Sequence, residues 1–217
     1  MVREHTSVLA ESEKRLLIRM AGGLPRWVNS DHLTTLGAAA MAGVGACFWA
    51  GGAALVLVIP LLALNWFGDS LDGTLARVRN QQRPRYGYYV DHALDIAGTA
   101  FLFGGLALGG LMSPTIAMGV MAAYFAVMAE VFLATSSRGV FRMSFLGFGP
   151  TELRVVLAVG ALALMRGPQV VIPGFGTYLL FDVGGLVAIV GLAVTFVASS
   201  IGNGRALYEA EPINRRA

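Results

Sequence analysis

Four aspartates in one short stretch carry the chemistry this chain offers. Asp69, Asp72, Asp91 and Asp95 lie in GDSLDGTLARVRNQQRPRYGYYVDHALD, between two strongly apolar runs. Carboxylates at membrane depth are costly, so they mark function by default. Asp69 and Asp72 are spaced i, i+3 and Asp91 and Asp95 i, i+4, so on helices each pair projects from one face. Two such faces turned toward each other make a cage of hard oxygen ligands, suited to Mg²⁺, Mn²⁺ or Ca²⁺ rather than zinc. Gly73 and Ala76 continue the first acidic stripe with almost no side chain, which leaves room for a ligand against the helix. Arg77 adds a cation. Carboxylates, a divalent ion, a small-residue floor and an arginine together describe a phosphate or pyrophosphate site.

The elements that must position these residues are membrane helices. Of 217 residues, 56% are hydrophobic and 13% charged, and the mean hydropathy is +0.66. A soluble domain is not that apolar. The expected fold is an all-α integral membrane protein with six transmembrane helices, at 33–50, 53–78, 87–112, 115–135, 150–166 and 178–203. Each is near the ~20 residues a bilayer demands. Gly51 and Gly52 alone separate the first two, which predicts a tight helical hairpin. Residues 8–21 place Leu9, Leu16, Leu17 and Met20 on one stripe with Lys14, Arg15 and Arg19 elsewhere, the pattern of an amphipathic helix lying in the membrane interface. The expected organisation is an N-terminal segment over 1–32, a transmembrane catalytic domain over 33–204 and a tail over 205–217. No apolar core of a signal peptide is present in the first thirty residues, so no cleaved leader is expected. The lone Cys47 excludes an intrachain disulfide framework and reads as a small buried hydrophobe.

Basic residues set the orientation. Arg3, Lys14, Arg15, Arg19 and Arg26 precede the first span, and Arg77, Arg79, Arg83 and Arg85 cluster around the link between the second and third. Arg138, Arg142 and Arg154 surround the link between the fourth and fifth, and Arg205, Arg215 and Arg216 follow the sixth. All of the 16 basic residues except Arg166 thus fall on one side, which the positive-inside rule makes cytoplasmic. Both termini and the aspartates share that side, with a bacterial inner membrane as the expected setting. The basic excess then serves topology and anionic headgroups and calls for no nucleic acid.

The pattern Asp69-x2-Asp72-Gly73-x2-Ala76-Arg77-x9-Gly87-x3-Asp91-x3-Asp95 resembles the signature of the CDP-alcohol phosphotransferase family. Members commonly carry eight residues between the arginine and the second glycine. The ninth here falls in 78–86, read as a loop. The resemblance extends to length, six spans and the N-terminal helix. It implies a homodimeric membrane enzyme that moves a substituted phosphate from a CDP-linked donor to an alcohol and releases CMP. It implies that Asp69, Asp72 and Asp91 hold divalent metal, Mg²⁺ or Mn²⁺ as two ions, against the pyrophosphate. Asp95 becomes the general base and a further ligand. Gly73, Ala76, Arg77 and Gly87 then belong to the nucleotide site.

Other candidates follow from position. Asn29 and Thr34, in the stretch 28–37 at the start of the first span, match a nucleotide-contacting stretch of the family, with helix capping by Asn29, Ser30 or Asp31 as the competing reading. Acceptor recognition points to Glu130 and to Arg138, Arg142, Glu152 and Arg154, the last two at a helix start at Pro150 whose free N–H groups favour an anion. The competing reading gives these arginines to topology and pairs Glu152 with Arg154 or a neighbouring span. His32 and His92 have no zinc-like partners, and Asn65 and Asp182 read as structural. The GxxxG of Gly105 and Gly109 reads first as internal packing. A chain of this size favours CDP-diacylglycerol as donor and a small polar alcohol as acceptor. A CDP-choline or CDP-ethanolamine donor with a lipid acceptor is the alternative. An aspartate-rich intramembrane prenyltransferase fits less well, lacking the Asp-Gly-x2-Ala-Arg core. A cation transporter fits less well too, since it would spread its acids through the membrane.

Overall fold

The computed structural model describes residues 2–4, 10–142 and 150–211. It is mostly helical. Helix α1 spans Ala10–Gly23 and α2 spans Ser30–Ala50. A short 3₁₀ turn, Gly52–Leu57, leads into α3, Val58–Val78. Then come α4 at Pro84–Leu108, α5 at Pro114–Arg138, α6 at Pro150–Leu164 and α7 at Leu180–Ala210. Gly51 and Gly52 adopt φ of 63° and 53°, a conformation open to glycine and costly for other residues, and α2 folds back on α3 there.

Among the described residues four helical segments are long and apolar enough to cross a membrane: Ser30–Ala50, Gly52–Val78, Pro114–Arg138 and Leu180–Ala210. Helix α4 has the length, at 25 residues, but Asp91, His92 and Asp95 dilute its apolar character. Helix α6 has 15 residues, about 22 Å at the α-helical rise, short of a ~30 Å hydrocarbon core. Helix α7 continues to Ala210, so residues 205–210, expected as tail, extend the last helix.

Helix α2 is the hub. It packs along both α3 and α4. Glycine lets the backbones touch: a Cβ on Gly68 of α3 would come within 2.6 Å of the Gly37 nitrogen of α2. A Cβ on Gly105 would overlap the Gly45 carbonyl, and one on Gly109 the Phe48 carbonyl. The GxxxG of α4 is thus an internal packing face, as small residues allow in membranes. One apolar cluster, with Phe48, Val58, Leu62, Leu106 and Met112, fills the end away from the aspartates. A second joins Leu17 and Ala21 of α1 to Leu33, Leu71 and Leu75, and so docks α1 against the aspartate-bearing half of α3. Helix α6 lies against α3, and α7 packs chiefly along α5.

Two small sheets were not expected from the sequence. Strands β1, Val2–Glu4, and β2, Val140–Arg142, pair in parallel. Strands β3, Gln169–Ile172, and β4, Gly176–Leu179, form an antiparallel hairpin between α6 and α7. Val170, Val171 and Ile172 favour a strand, and Gly174 and Gly176, at φ of 82° and 116°, make the reversal.

Candidate active site

Asp69 and Asp72 lie in the second half of α3, and Asp91 and Asp95 in the first half of α4. The 79–83 link keeps both pairs toward one end of the bundle. Asp72 interacts electrostatically with Asp91 and Asp69, and Asp95 with Asp69 and Asp72. The four carboxylates therefore occupy one neighbourhood, as their spacing predicts.

Each is held differently. Asp72 is 5% exposed. Its Oδ2 accepts a 2.6 Å bond from the Thr34 hydroxyl, and its Oδ1 accepts from the Gly73 N–H. The Ser30 hydroxyl donates to the Asp72 carbonyl at 2.9 Å, fastening the start of α2 to α3. Asn29 caps α2: its Oδ1 accepts from the His32 N–H at 2.9 Å, while His32 Nδ1 accepts from the Asn29 N–H. So within the chain Asn29 caps the start of α2 and Thr34 orients a carboxylate. Asp69 pairs with Arg154, whose Nη2 donates to Asp69 Oδ2. Arg154 Nε donates to Asn65 Oδ1 at 2.6 Å, and Asn65 Nδ2 donates to the Gly37 carbonyl at 2.9 Å. The sequence suggested Arg154 for an acceptor; the fold puts it on the metal-ligand candidate itself.

The small-residue floor is open. A Cβ on Gly73 would meet only the Arg77 Nη1, at 3.5 Å, and one on Gly87 would meet nothing within 4 Å. Arg77 Nη2 donates to Thr74 at 2.9 Å, which lays the guanidinium over that floor, and Ala76 is half-buried beside it. Arg79 donates to four carbonyls of the α1–α2 link: Leu24 and Pro25 at 2.9 Å each, Arg26, and Val28. An arginine that spacing assigns only to topology thus folds the link beside the site. Arg83 pairs with Asp31 and stacks on Tyr86 at 4.2 Å, tying the α3–α4 link to the start of α2. His92 sits among rings, 4.3 Å from Tyr88 and 5.1 Å from Phe132, and its Nδ1 bonds the Tyr88 carbonyl. Tyr124 of α5 was missed: its phenol bonds Thr99 and lies in the field of Asp95, Asp69 and Arg154. A tyrosine inside an apolar helix gives no periodic signal.

Glu130 and Arg138 belong to another junction. Glu130, 7% exposed, accepts from Ser199 at 2.7 Å and from Asn203 at 2.6 Å, both on α7. Arg138 Nη1 donates to Asn203 Oδ1. Arg142 lies in β2, and its side chain is outside the described part of the molecule. Glu152 sits in the first turn of α6, two residues before Arg154. Asp182 caps α5, accepting from the Ser113 N–H at 2.7 Å.

The family model for CDP-alcohol phosphatidyltransferase matches residues 27–197, from the start of α2 through most of α7. The chain belongs to that family. As a CDP-alcohol phosphatidyltransferase it is an integral membrane transferase of phospholipid biosynthesis. Its structure is similar to the crystal structure of Mycobacterium tuberculosis phosphatidylinositol phosphate synthase with CDP-DAG bound, with a TM-score of 0.61 and 22% identity over 94% of this chain and 99% of that one. At that identity the likeness establishes the fold. Comparison with curated proteins finds no match.

The family is generally dependent on a divalent metal. Among the described residues no three Asp, Glu, His or Cys side chains converge closely enough to form a closed cage. Asp69 is engaged by Arg154 and Asp72 by Thr34. The donor set still fits a hard cation. It is all oxygen, it comes from two helices, and the carboxylates lie close enough to interact electrostatically.

Proposed function

We propose that this enzyme transfers the phosphatidyl group of CDP-diacylglycerol to the hydroxyl of a small polar alcohol and releases CMP. The observation that supports this reading best is the grouping of four aspartates from α3 and α4 beside an open glycine floor, with Arg77 and Arg154 at its edges. Asp69, Asp72, Asp91 and Asp95 would hold the divalent ion, Mg²⁺ or Mn²⁺. Such an ion neutralises the pyrophosphate and stabilises CMP as it leaves. Thr34 and the Gly73 N–H fix the rotamer of Asp72 in advance, so little reorganisation is left to the reaction. Gly73, Ala76 and Gly87 leave space for the cytidine, and Arg77 faces its phosphates. Asn29 and Thr34 act on the nucleotide site through the fold, by capping the start of α2 and aiming Asp72.

Asp95 takes the acceptor's proton. The alcohol oxygen forms a bond to the phosphorus that carries the diacylglycerol, and the bond from that phosphorus to the CMP oxygen breaks. Positioning and electrostatics supply most of the acceleration in such transfers. Acceptor recognition falls to the start of α6, with Glu152 and Arg154, and to Arg142 on the preceding strand. Glu130 and Arg138 are given to the α5–α7 junction. We further read α4 and α6 as the remaining two of six spans, α1 as an interfacial helix, both termini and the site as cytoplasmic, and the working unit as a homodimer in a bacterial inner membrane.

The test is direct. Purified protein in lipid nanodiscs is given CDP-diacylglycerol or CDP-choline with a panel of alcohols, and CMP is measured. CMP from CDP-diacylglycerol, abolished by chelator and restored by Mg²⁺ or Mn²⁺, supports the reading. CMP from CDP-choline with a lipid acceptor, and none from CDP-diacylglycerol, replaces it.

A further inference from the structure

Arg154 places a cation where the aspartates need one, and its two bonds are unequal. The Nε partner, Asn65, is buried and bonded in turn to the Gly37 carbonyl, so that half of the fork is fixed to two helices. The Nη2 partner, Asp69, is a charged carboxylate whose side chain is 35% exposed, against 13% for Arg154. We propose that Arg154 is a positioning residue that holds Asp69 in the metal-free enzyme and yields that carboxylate to an incoming divalent ion, while its Nε bond to Asn65 keeps the arginine in place. The inference rests on the reading of the aspartates as metal ligands.

The physical case has two parts. A group of like charges without a counter-ion is costly in a partly buried setting. Arg154 supplies that counter-ion from α6, and its charge reaches Asp95 as well as Asp69. The same charge opposes a second cation at the same oxygens. Arg154 therefore offsets the repulsion among the carboxylates when no ion is bound and sets the metal affinity lower than four carboxylates without it would give. A divalent ion that takes Asp69 removes one tooth of the fork and leaves the other. The arginine is then already beside the donor site, with Nη2 turned loose.

The experiment uses the full chain in nanodiscs with neither donor nor acceptor. Mn²⁺ binding is followed by the paramagnetic resonance of the free ion, and thermal unfolding is recorded with and without Mn²⁺. Arg154→Gln is expected to bind Mn²⁺ about tenfold more tightly, since an opposite charge at contact shifts a carboxylate's cation affinity on that scale. Its metal-free Tm should fall, and the Mn²⁺-induced rise in Tm should exceed that of the wild type. Arg154→Lys keeps the charge and loses the fork, so Mn²⁺ should bind only a few-fold more tightly. Equal or weaker Mn²⁺ binding by folded Arg154→Gln overturns the inference. If that variant does not fold, unchanged affinity in Arg154→Lys overturns it. A wild type that binds no Mn²⁺ sinks the metal reading itself, a result distinct from a wild type that binds and variants that do not respond. A role confined to the acceptor would move neither measurement.

Discussion

Asp72 and Glu130 are buried to nearly the same degree, 5% and 7% exposed, and both carboxylates are hydrogen-bonded at each oxygen. Their surroundings differ. Glu130 accepts from two neutral side chains of α7, Ser199 and Asn203, and Arg138 reaches it only through Asn203. That arrangement is complete, and it clasps α7 to α5. Asp72 instead shares its surroundings with Asp69 and Asp91. Hydrogen bonding alone therefore does not tell these two acids apart. The presence of further carboxylates does, because repulsion among them stores a demand for a cation that no neutral donor meets.

The strongest way to break this contrast is to remove one acid from the cluster. Asp95→Asn keeps the volume and removes the proton acceptor. CMP release should fall by at least ~10², the usual scale of a general base, while CDP-diacylglycerol binding, measured by equilibrium methods, stays close to normal. Turnover near the wild-type rate would take the base away from Asp95 and leave the cluster as a metal site only.

The next effect tests the floor between the acids. A side chain at position 73 meets only the tip of Arg77, so Gly73→Leu should fold, and leucine even favours the helix. The added volume should weaken donor affinity by ~10-fold or more, in line with ~1–3 kcal/mol for overfilling a fitted space. Unchanged donor affinity in the folded variant would place the cytidine elsewhere.

Much of this was legible in the residues, for physical reasons that also mark where legibility ends. Apolar length and the Gly51–Gly52 break predict helices that the structure places within a few residues, except that α7 runs on to Ala210. The i, i+3 and i, i+4 spacings predict which acids share a face. What spacing does not carry is partnership across elements. Gly37 and Gly68 are two glycines among 28 until α2 and α3 are laid together. Arg79 reads as one more topological charge, because its partners are main-chain carbonyls and carry no sequence signal. Asn29 and Thr34 sit in the right stretch, yet their bonds run to His32 and Asp72. The β3–β4 hairpin did leave a trace in Val170, Val171 and Ile172 before two glycines, masked by the apolar runs on either side.

The other half of the comparison predicts a loss of stability without a loss of chemistry. Glu130→Gln turns one acceptor into a donor that faces Asn203 or Ser199. One hydrogen bond is lost at a buried position, a cost of ~1–3 kcal/mol. Thermal unfolding should come earlier, and CMP release per folded molecule should hold. The reverse result, normal stability with reduced turnover, would move Glu130 into the site.

Arg138→Ala should have the smallest effect, and it decides how the two regions divide the arginines. Arg138 is exposed, and its bond goes to the neutral Asn203 oxygen. Loss of that bond should cost no more than ~1 kcal/mol, seen as a small drop in Tm. The link from Asn203 to Glu130 remains, so α7 stays docked. Arg154, by contrast, bonds an acid of the cluster, and only a cation so placed can reach a phosphate that enters there. Acceptor KM should thus be unchanged in Arg138→Ala. A rise in acceptor KM at constant donor affinity would show that the α5–α7 junction opens onto the acceptor path. The clasp around Glu130 would then be one wall of the active site, and the contrast between the two carboxylate settings would be one of distance from the reacting phosphorus rather than of role.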